Sequence, residues 1–109
     1  MKKWMLALAT LGVLVYGLAL ADSGAKNLKV LPKTMTKVEL KKLMKKMSSS
    51  LGVECDHCHN KDDMSVETEK KEEAREMMIM VDEINKRFFK GKPEVSCFTC
   101  HNGRAEPKK

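Results

Sequence analysis

The four cysteines of this 109-residue chain are confined to two copies of one pattern, Cys-x-x-Cys-His, at residues 55–59 and 97–101. The pattern is the attachment signature of haem c. Two thiols three positions apart can form thioethers with the two vinyl groups of one haem, and the adjacent histidine can ligate its iron. We therefore predict two covalently attached haem c groups. The predicted thioether cysteines are Cys55, Cys58, Cys97 and Cys100, and the predicted proximal iron ligands are His59 and His101.

Other uses of paired cysteines account for less of this pattern. Two Cys-x-x-Cys pairs could bind zinc, or form disulfides in an exported chain, and either would make the protein an interaction module. Thioredoxin-like redox motifs would need a βαβ pattern, which the sequence lacks. None of these three alternatives explains why a histidine follows the second cysteine in both copies.

The N-terminus has the three parts of a secretory signal peptide. A basic start precedes an apolar run over residues 4–20, and Ala19 and Ala21 are the small residues that signal peptidase reads. We predict a signal peptide over residues 1–21, a mature dihaem cytochrome c domain over residues 22–109 and a location in the bacterial periplasm. The alternative is an uncleaved membrane anchor, because the apolar run is nearly long enough to span a bilayer.

The predicted mature domain is poor in residues that build a core. Beyond residue 21 the chain has no Trp or Tyr, and its aromatic side chains are Phe88, Phe89 and Phe98. Small domains with so little apolar material often depend on a bound group for their missing core. We expect a single domain in which the haems supply much of the interior.

Two helices are predicted. A capping box at Thr36 and Glu39 indicates a helix over residues 37–51, with Gly52 as its stop. Its apolar residues recur at helical spacing and are Leu40, Met44, Met47 and Leu51. Ser65 or Thr68 can cap a second helix. Its apolar stripe is predicted to contain Met77, Met80 or Val81, Ile84 and Phe88, and its end is predicted at Gly91 and Pro93. The predicted fold is all-α, a small multihaem c-type cytochrome with two helix–turn–CxxCH units.

The distal iron ligands are restricted by composition. The chain has three histidines, so two haems with two histidine ligands each cannot form within one chain. His57 lies inside its own attachment loop and is interpreted as a solvent-facing spacer. Methionine is the other usual ligand, although it is also a common filler of cores, and a Met-x-x-Met pair precedes each motif. The predicted distal ligands are Met44 and Met77, with Met47, Met78 and Met80 as substitutes.

The formal charge of +6 is not interpreted as nucleic-acid binding. Four haem propionates would offset it, and the export signal argues against that partner. A lysine-rich helix face over residues 41–46 could steer an acidic protein, so redox proteins of an electron-transfer chain are the predicted partners. We find no catalytic apparatus and predict a one-electron carrier, not an enzyme. The alternative is a haem-based sensor or enzyme with an open iron site.

Several segments resemble the haem-binding segments of the photosynthetic reaction-centre cytochrome c subunit family. They are residues 31–36, 51–59, 77–85 and 97–103, and the resemblance covers nearly all of residues 27–107. It implies that each haem segment is a helix, a turn and the C-x-x-C-H motif, with an axial methionine on the helix. That implies Met44 for the first haem and the stretch over residues 77–80 for the second. Subunits of this family carry four haems, so two motifs make this chain similar to half of one. A periplasmic shuttle in a respiring or metal-reducing bacterium is the alternative to a photosynthetic partner.

Overall fold

The computed structural model describes residues 24–109, and the predicted signal peptide lies outside them. In this part of the chain the regular structure is helical and no strand is present, which confirms the all-α prediction. The elements are α1 (Lys37–Leu51), a 3-10 turn (Cys55–His57), α2 (Glu69–Phe89) and α3 (Cys97–His101). Among the described helices, none combines the length and the apolar character needed to cross a bilayer.

Helix α1 begins and ends at the predicted residues. The hydroxyl of Thr36 accepts a hydrogen bond of 3.2 Å from the amide of Glu39, whose carboxylate accepts one of 2.8 Å from the amide of Thr36. An N-cap of this kind stabilises a helix by about 1 kcal/mol. Gly52 follows the last turn with a φ of 65°, a left-handed conformation that glycine adopts without steric cost. Local signals therefore determine both ends of this helix.

Helix α2 is capped by Thr68, one of the two predicted candidates, whose hydroxyl accepts a hydrogen bond of 3.2 Å from the amide of Lys71. Its end differs from the prediction. Lys90, not Gly91, is the first residue to turn left-handed, with a φ of 55°. The amides of Lys90 and Gly91 both donate to the carbonyl of Asn85. The helix therefore ends at Phe89, one residue before the left-handed Lys90.

No hydrophobic side chain in residues 24–109 is fully buried. The buried residues of this region are polar: Ser50 is 5% exposed and Asn85 is 8% exposed. Helices without an apolar core of their own must gain stability from something else, because burial of apolar surface is the main favourable term in folding. The arrangement is that of a domain built around a bound group.

The inward face of α2 coincides only in part with the predicted apolar stripe, of which Val81 and Ile84 are half-buried. Ala74 and Met78 lie on the inward face with the charged Lys71 and Arg75. Met77, Met80 and Phe88 are instead 43%, 42% and 68% exposed. Because Lys71 and Arg75 lie on the inward face, the first half of this face is not the most apolar side of α2. The hydrophobic pattern therefore places Met77 and Met80 on the stripe instead.

Candidate haem-binding sites

A cleft of about 730 Å³ lies between α1, the first motif and α2. This volume falls within the range of about 300–1,000 Å³ that is usual for small-molecule and cofactor sites. Cys55, Cys58 and His59 line the cleft together with apolar side chains from three parts of the chain. Those side chains are Leu28, Val30 and Leu31, then Leu40, Met44, Met47 and Leu51 of α1, and Ala74 and Met78 of α2. Apolar walls beside two thiols and an imidazole fit a haem, whose macrocycle is flat and largely apolar.

The two motif histidines make the same hydrogen bond. The Nδ1 atom of His59 lies 3.0 Å from the carbonyl oxygen of Met64, and that of His101 lies 2.9 Å from the carbonyl oxygen of Arg104. A carbonyl oxygen can only accept, so each Nδ1 carries the proton. The lone pair of each Nε2 is then left for a metal, which is the usual arrangement of histidine ligands.

The carbonyl beside His59 is held in place by a compact loop. The side-chain oxygen of Asn60 accepts a hydrogen bond of 2.9 Å from the amide of Asp62. Asp63 accepts a second bond of 2.9 Å from the amide of Ser65. These side chains take the place of backbone acceptors in tight turns. The loop therefore folds back and brings the carbonyl of Met64 next to the imidazole of His59.

The side chain of Lys71 fastens this loop to α2. It is 11% exposed, and its ammonium donates to three successive carbonyl groups of the loop. They belong to Met64 at 3.3 Å, Ser65 at 3.2 Å and Val66 at 2.9 Å. Lys71 therefore holds the loop, and with it the carbonyl that accepts from His59, in a fixed position against α2.

The carbonyl beside His101 is positioned by backbone conformation. Asn102 and Gly103 are both left-handed, with φ values of 50° and 78°. The chain therefore reverses directly after α3, and the amide of Arg104 donates to the carbonyl of His101 at 3.0 Å. The helical conformation of the second motif itself was not predicted from the sequence. Its start is stabilised by a hydrogen bond of 3.0 Å from the amide of Ser96 to the hydroxyl of Thr99.

The first motif is also attached to the start of α2. The hydroxyl that caps this helix, that of Thr68, donates a hydrogen bond of 2.6 Å to the carbonyl of Cys58. The four cysteines form no disulfide within the described residues. Burial raises the pKa of the Cys58 thiol above its ordinary value, because the thiolate would lose hydration. A thiol of this kind is a poor candidate for a reactive redox cysteine.

The two buried polar residues attach the second motif to the helices. The side-chain amide of Asn85 donates to the carbonyl of Val95 at 2.8 Å and accepts from its amide at 2.9 Å. The carbonyl of Ser50 accepts a hydrogen bond of 2.8 Å from the amide of Gly103. Sequence reasoning assigned no role to Ser50 or Asn85. The only available signal was a polar residue next to the predicted apolar stripe of each helix.

A carboxylate, that of Glu67, fixes the N-terminal segment beside the first cleft. It forms a two-pronged ion pair with Arg75, with distances of 2.5 and 2.8 Å, and accepts a hydrogen bond of 3.1 Å from Lys29. Asn27 donates to the same carboxylate and also to the carbonyl of Ser65, at 3.1 Å. Hydrogen bonding to Arg75 is the main reason why the pKa of Glu67 is far below its usual value. The sequence alone does not reveal this cluster, whose members lie up to 48 positions apart.

The structure separates the methionines that were predicted as candidate ligands. Met44, Met47 and Met78 line the first cleft, whereas Met77 and Met80 are exposed on α2 and do not line it. His57 is exposed. Within residues 24–109, no three side chains of the His, Cys, Asp or Glu types converge on a point where they could hold a metal ion.

Each motif of this helical chain combines a pair of thiols with a histidine whose Nδ1 donates to a backbone carbonyl. This combination is typical of the c-type cytochrome class. The sequence profile of the photosynthetic reaction centre cytochrome C subunit family matches residues 14–109, and the chain belongs to that family. This confirms the resemblance seen in the sequence. No individual curated protein matches the chain. Membership of a cytochrome c family indicates covalently bound haem c and a role in electron transfer with redox partners.

Proposed function

We propose that this chain is an exported dihaem c-type cytochrome of the periplasm, which carries electrons one at a time between redox proteins. The observation that carries the proposal is the repeated geometry of the two motif histidines. Each has its Nδ1 atom within 3.0 Å of a backbone carbonyl, although the two loops that supply the carbonyls differ completely. Two different local structures thus place the proton on Nδ1 and leave Nε2 available for a metal. This shared tautomer supports iron ligation at both motifs.

In the first site, the residues have separate tasks. Cys55 and Cys58 would hold the haem covalently, and His59 would ligate its iron. The haem supplies a metal that accepts and releases one electron. Leucine and methionine side chains of α1 line the cleft and would shield a bound haem from water, which would limit solvent reorganisation when the charge of the iron changes. The hydrogen bond from His59 to Met64 keeps the imidazole in one tautomer and one orientation.

The proposed distal ligand of the first haem is Met44, with Met47 and Met78 as neighbouring thioethers in the same cleft. Thioether sulfur favours ferrous iron and raises the reduction potential relative to a second imidazole. For the second haem, Met77 remains the proposed ligand and Met80 its substitute. Both are surface residues of α2, at 43% and 42% exposure.

The lysine face of α1 supports a docking role for acidic redox proteins. This helix carries five lysines, and its one acidic residue, Glu39, is engaged in the capping box. No lysine of α1 forms an ion pair with another residue of the described region, whereas α2 pairs Lys70 with Glu73 and Lys86 with Asp82. Unpaired charge of one sign beside the first cleft would steer partners of the opposite sign.

The proposal is tested by producing the full chain in a host that attaches haem c. Intact mass under denaturing conditions should equal residues 22–109 plus two haems, and the protein should be recovered from the periplasmic fraction. The Cys97→Ala/Cys100→Ala variant should retain one haem. The reverse pair, Cys55→Ala with Cys58→Ala, should lose the haem of the first cleft. A mass without haem after maturation would overturn the proposal, and a single haem in the unaltered protein would overturn the dihaem part.

A second candidate function is favoured by the exposure of Met77 and Met80. If neither thioether reaches the second iron, that iron would have an open position, and the protein would be a haem sensor or enzyme. Carbon monoxide distinguishes the two functions, because it binds reduced iron only where a position is open or easily vacated. Complete resistance of the reduced protein to carbon monoxide supports the carrier function.

A further inference from the structure

The two motif histidines differ in what surrounds their hydrogen-bond acceptors. The carbonyl of Met64, which accepts from His59, also lies 3.3 Å from the ammonium of Lys71. The carbonyl of Arg104, which accepts from His101, has no lysine or arginine donor among residues 24–109. In the first site, the carbonyl oxygen that accepts from the imidazole also accepts from the ammonium of Lys71. In the second site, the accepting carbonyl oxygen has no cationic donor within the described residues.

This difference bears on the iron through the imidazole. A hydrogen bond from Nδ1 to an electron-rich acceptor makes Nε2 a stronger donor to the metal. A cation that shares the acceptor withdraws its electron density, so the Nδ1 hydrogen bond weakens and Nε2 becomes a weaker donor. A weaker donor stabilises ferric iron less, and the reduction potential rises.

Neighbouring charges reinforce the effect of Lys71. Its ammonium lies 3.5 Å from the carboxylate of Glu67, but that carboxylate is also paired with Arg75 at 2.5 Å and with Lys29 at 3.1 Å. Three cations thus share one carboxylate. The other nearby acid, Asp63, accepts hydrogen bonds from Ser65 at 2.6 and 2.9 Å and adds a second negative charge, so three cations face two carboxylates. The cluster beside His59 keeps an excess of positive charge, which also favours ferrous iron.

We propose that Lys71 is a positioning residue that acts through the Met64 carbonyl on His59 and makes the haem of the first motif the higher-potential haem of the two. This inference rests on the proposed function, since it requires a haem at each motif. Each reduction would add one electron, supplied by a redox partner, to one iron. Electrons that enter the protein would accordingly collect on the first haem.

The test uses the mature holoprotein and the Lys71→Met variant, which keeps the length of the side chain but removes its charge and its donors. Potentiometric titration followed by haem absorbance should resolve two one-electron steps in the unaltered protein. In Lys71→Met the reduction equilibrium constant of the higher-potential step should fall by about tenfold, which is about 59 mV for one electron, while the lower step stays in place. Lys71→Arg, which restores a cationic donor, should return the higher step toward its original value.

Lys86→Met is the control, because Lys86 lies on the same helix and its ammonium pairs with Asp82 at 2.6 Å at the surface, away from the residues of the first site. It should leave both steps unchanged. If Lys71→Met does not fold, Lys71→Gln provides the same measurement, since it keeps a neutral donor. Unchanged potentials in a haem-loaded Lys71 variant, or equal shifts of both steps, would overturn the inference and leave the proposed function intact. Absence of haem from the unaltered protein would instead overturn the proposed function.

Discussion

The backbone carbonyl of Ser50, in the last turn of α1, accepts a hydrogen bond of 2.8 Å from the amide of Gly103, in the turn after the second motif. Because α1 leads into the first motif, this bond joins the chain segments that carry the two motifs. The serine is 5% exposed, and its hydroxyl donates to the carbonyl of Lys46 at 2.7 Å. Gly52 lies directly against the carbonyl of Gly103, so a side chain at that position would clash with backbone.

Gly52→Ala should destabilise the protein more than Gly91→Ala. Both glycines are left-handed, with φ values of 65° and 79°, so alanine costs roughly 1–2 kcal/mol at either position. At Gly52 the new methyl group also meets the Gly103 carbonyl, which adds about 1–3 kcal/mol for overpacking. At Gly91 it enters open space. Denaturant unfolding of the holoproteins measures both losses, and equal losses would mean that the contact between Gly52 and Gly103 does not constrain the fold.

Asn85→Leu should loosen the second motif. The substitution removes both side-chain hydrogen bonds to Val95 and costs about 1–3 kcal/mol for each backbone group left unpaired. Hydrogen exchange at the amide of Val95 should accelerate accordingly. The control is Lys86→Ala, the next residue, which loses only an exposed ion pair with Asp82 at 2.6 Å and should cost no more than about 0.5 kcal/mol. Slow exchange at Val95 in Asn85→Leu would contradict the assigned role.

Glu67 should make the stability of the protein sensitive to acid. Its pKa is lowered in the folded state, chiefly by the hydrogen bond from Arg75, so its contribution is present above the unfolded value of about 4.3 and is lost as the pH falls below it. Glu67→Gln should lower the Tm at pH 7 and flatten the decline of Tm between pH 5 and pH 3. Glu76→Gln is a suitable control, because Glu76 is exposed and has no ion pair within the described residues. An acid limb as steep in Glu67→Gln as in the unaltered protein would refute this expectation.

Met44→His should change the ligation of the first haem alone. The near-infrared band from sulfur to ferric iron should lose about half of its intensity if one thioether ligates each iron, and the potential of the first haem should fall. Met64→Leu should leave the band unchanged, because the loop uses the backbone carbonyl of Met64 and its side chain is 52% exposed. If neither variant changes the band, Met47 or Met78, the other candidate ligands that line the cleft, would be indicated.

The best-predicted features were those encoded over a few residues. The bounds of α1 follow from the Thr36 capping box and from Gly52. The two Cys-x-x-Cys-His motifs are recognisable in the sequence because thioether attachment of haem needs a fixed spacing. The inward side of α2 was predicted only in part: Val81 and Ile84 of the predicted stripe are half-buried, whereas Met77, Met80 and Phe88 are exposed. Lys71 and Arg75 lie on that face with Met78, because Lys71 donates to carbonyls of the loop before the helix and Arg75 pairs with Glu67. A hydrophobic pattern cannot register these partners.

The sequence by itself determined the class of the protein, the two motifs, the ends of α1 and the shortage of core residues. Only the tertiary structure decided which side chains meet: that Asn85 holds Val95, that Ser50 holds Gly103, and that Lys71 shares an acceptor with His59. The physical reason is range. A cap or an attachment motif is satisfied within about five residues, whereas the buried groups of Asn85 and Ser50 complete their hydrogen bonds with partners 10 or more positions away.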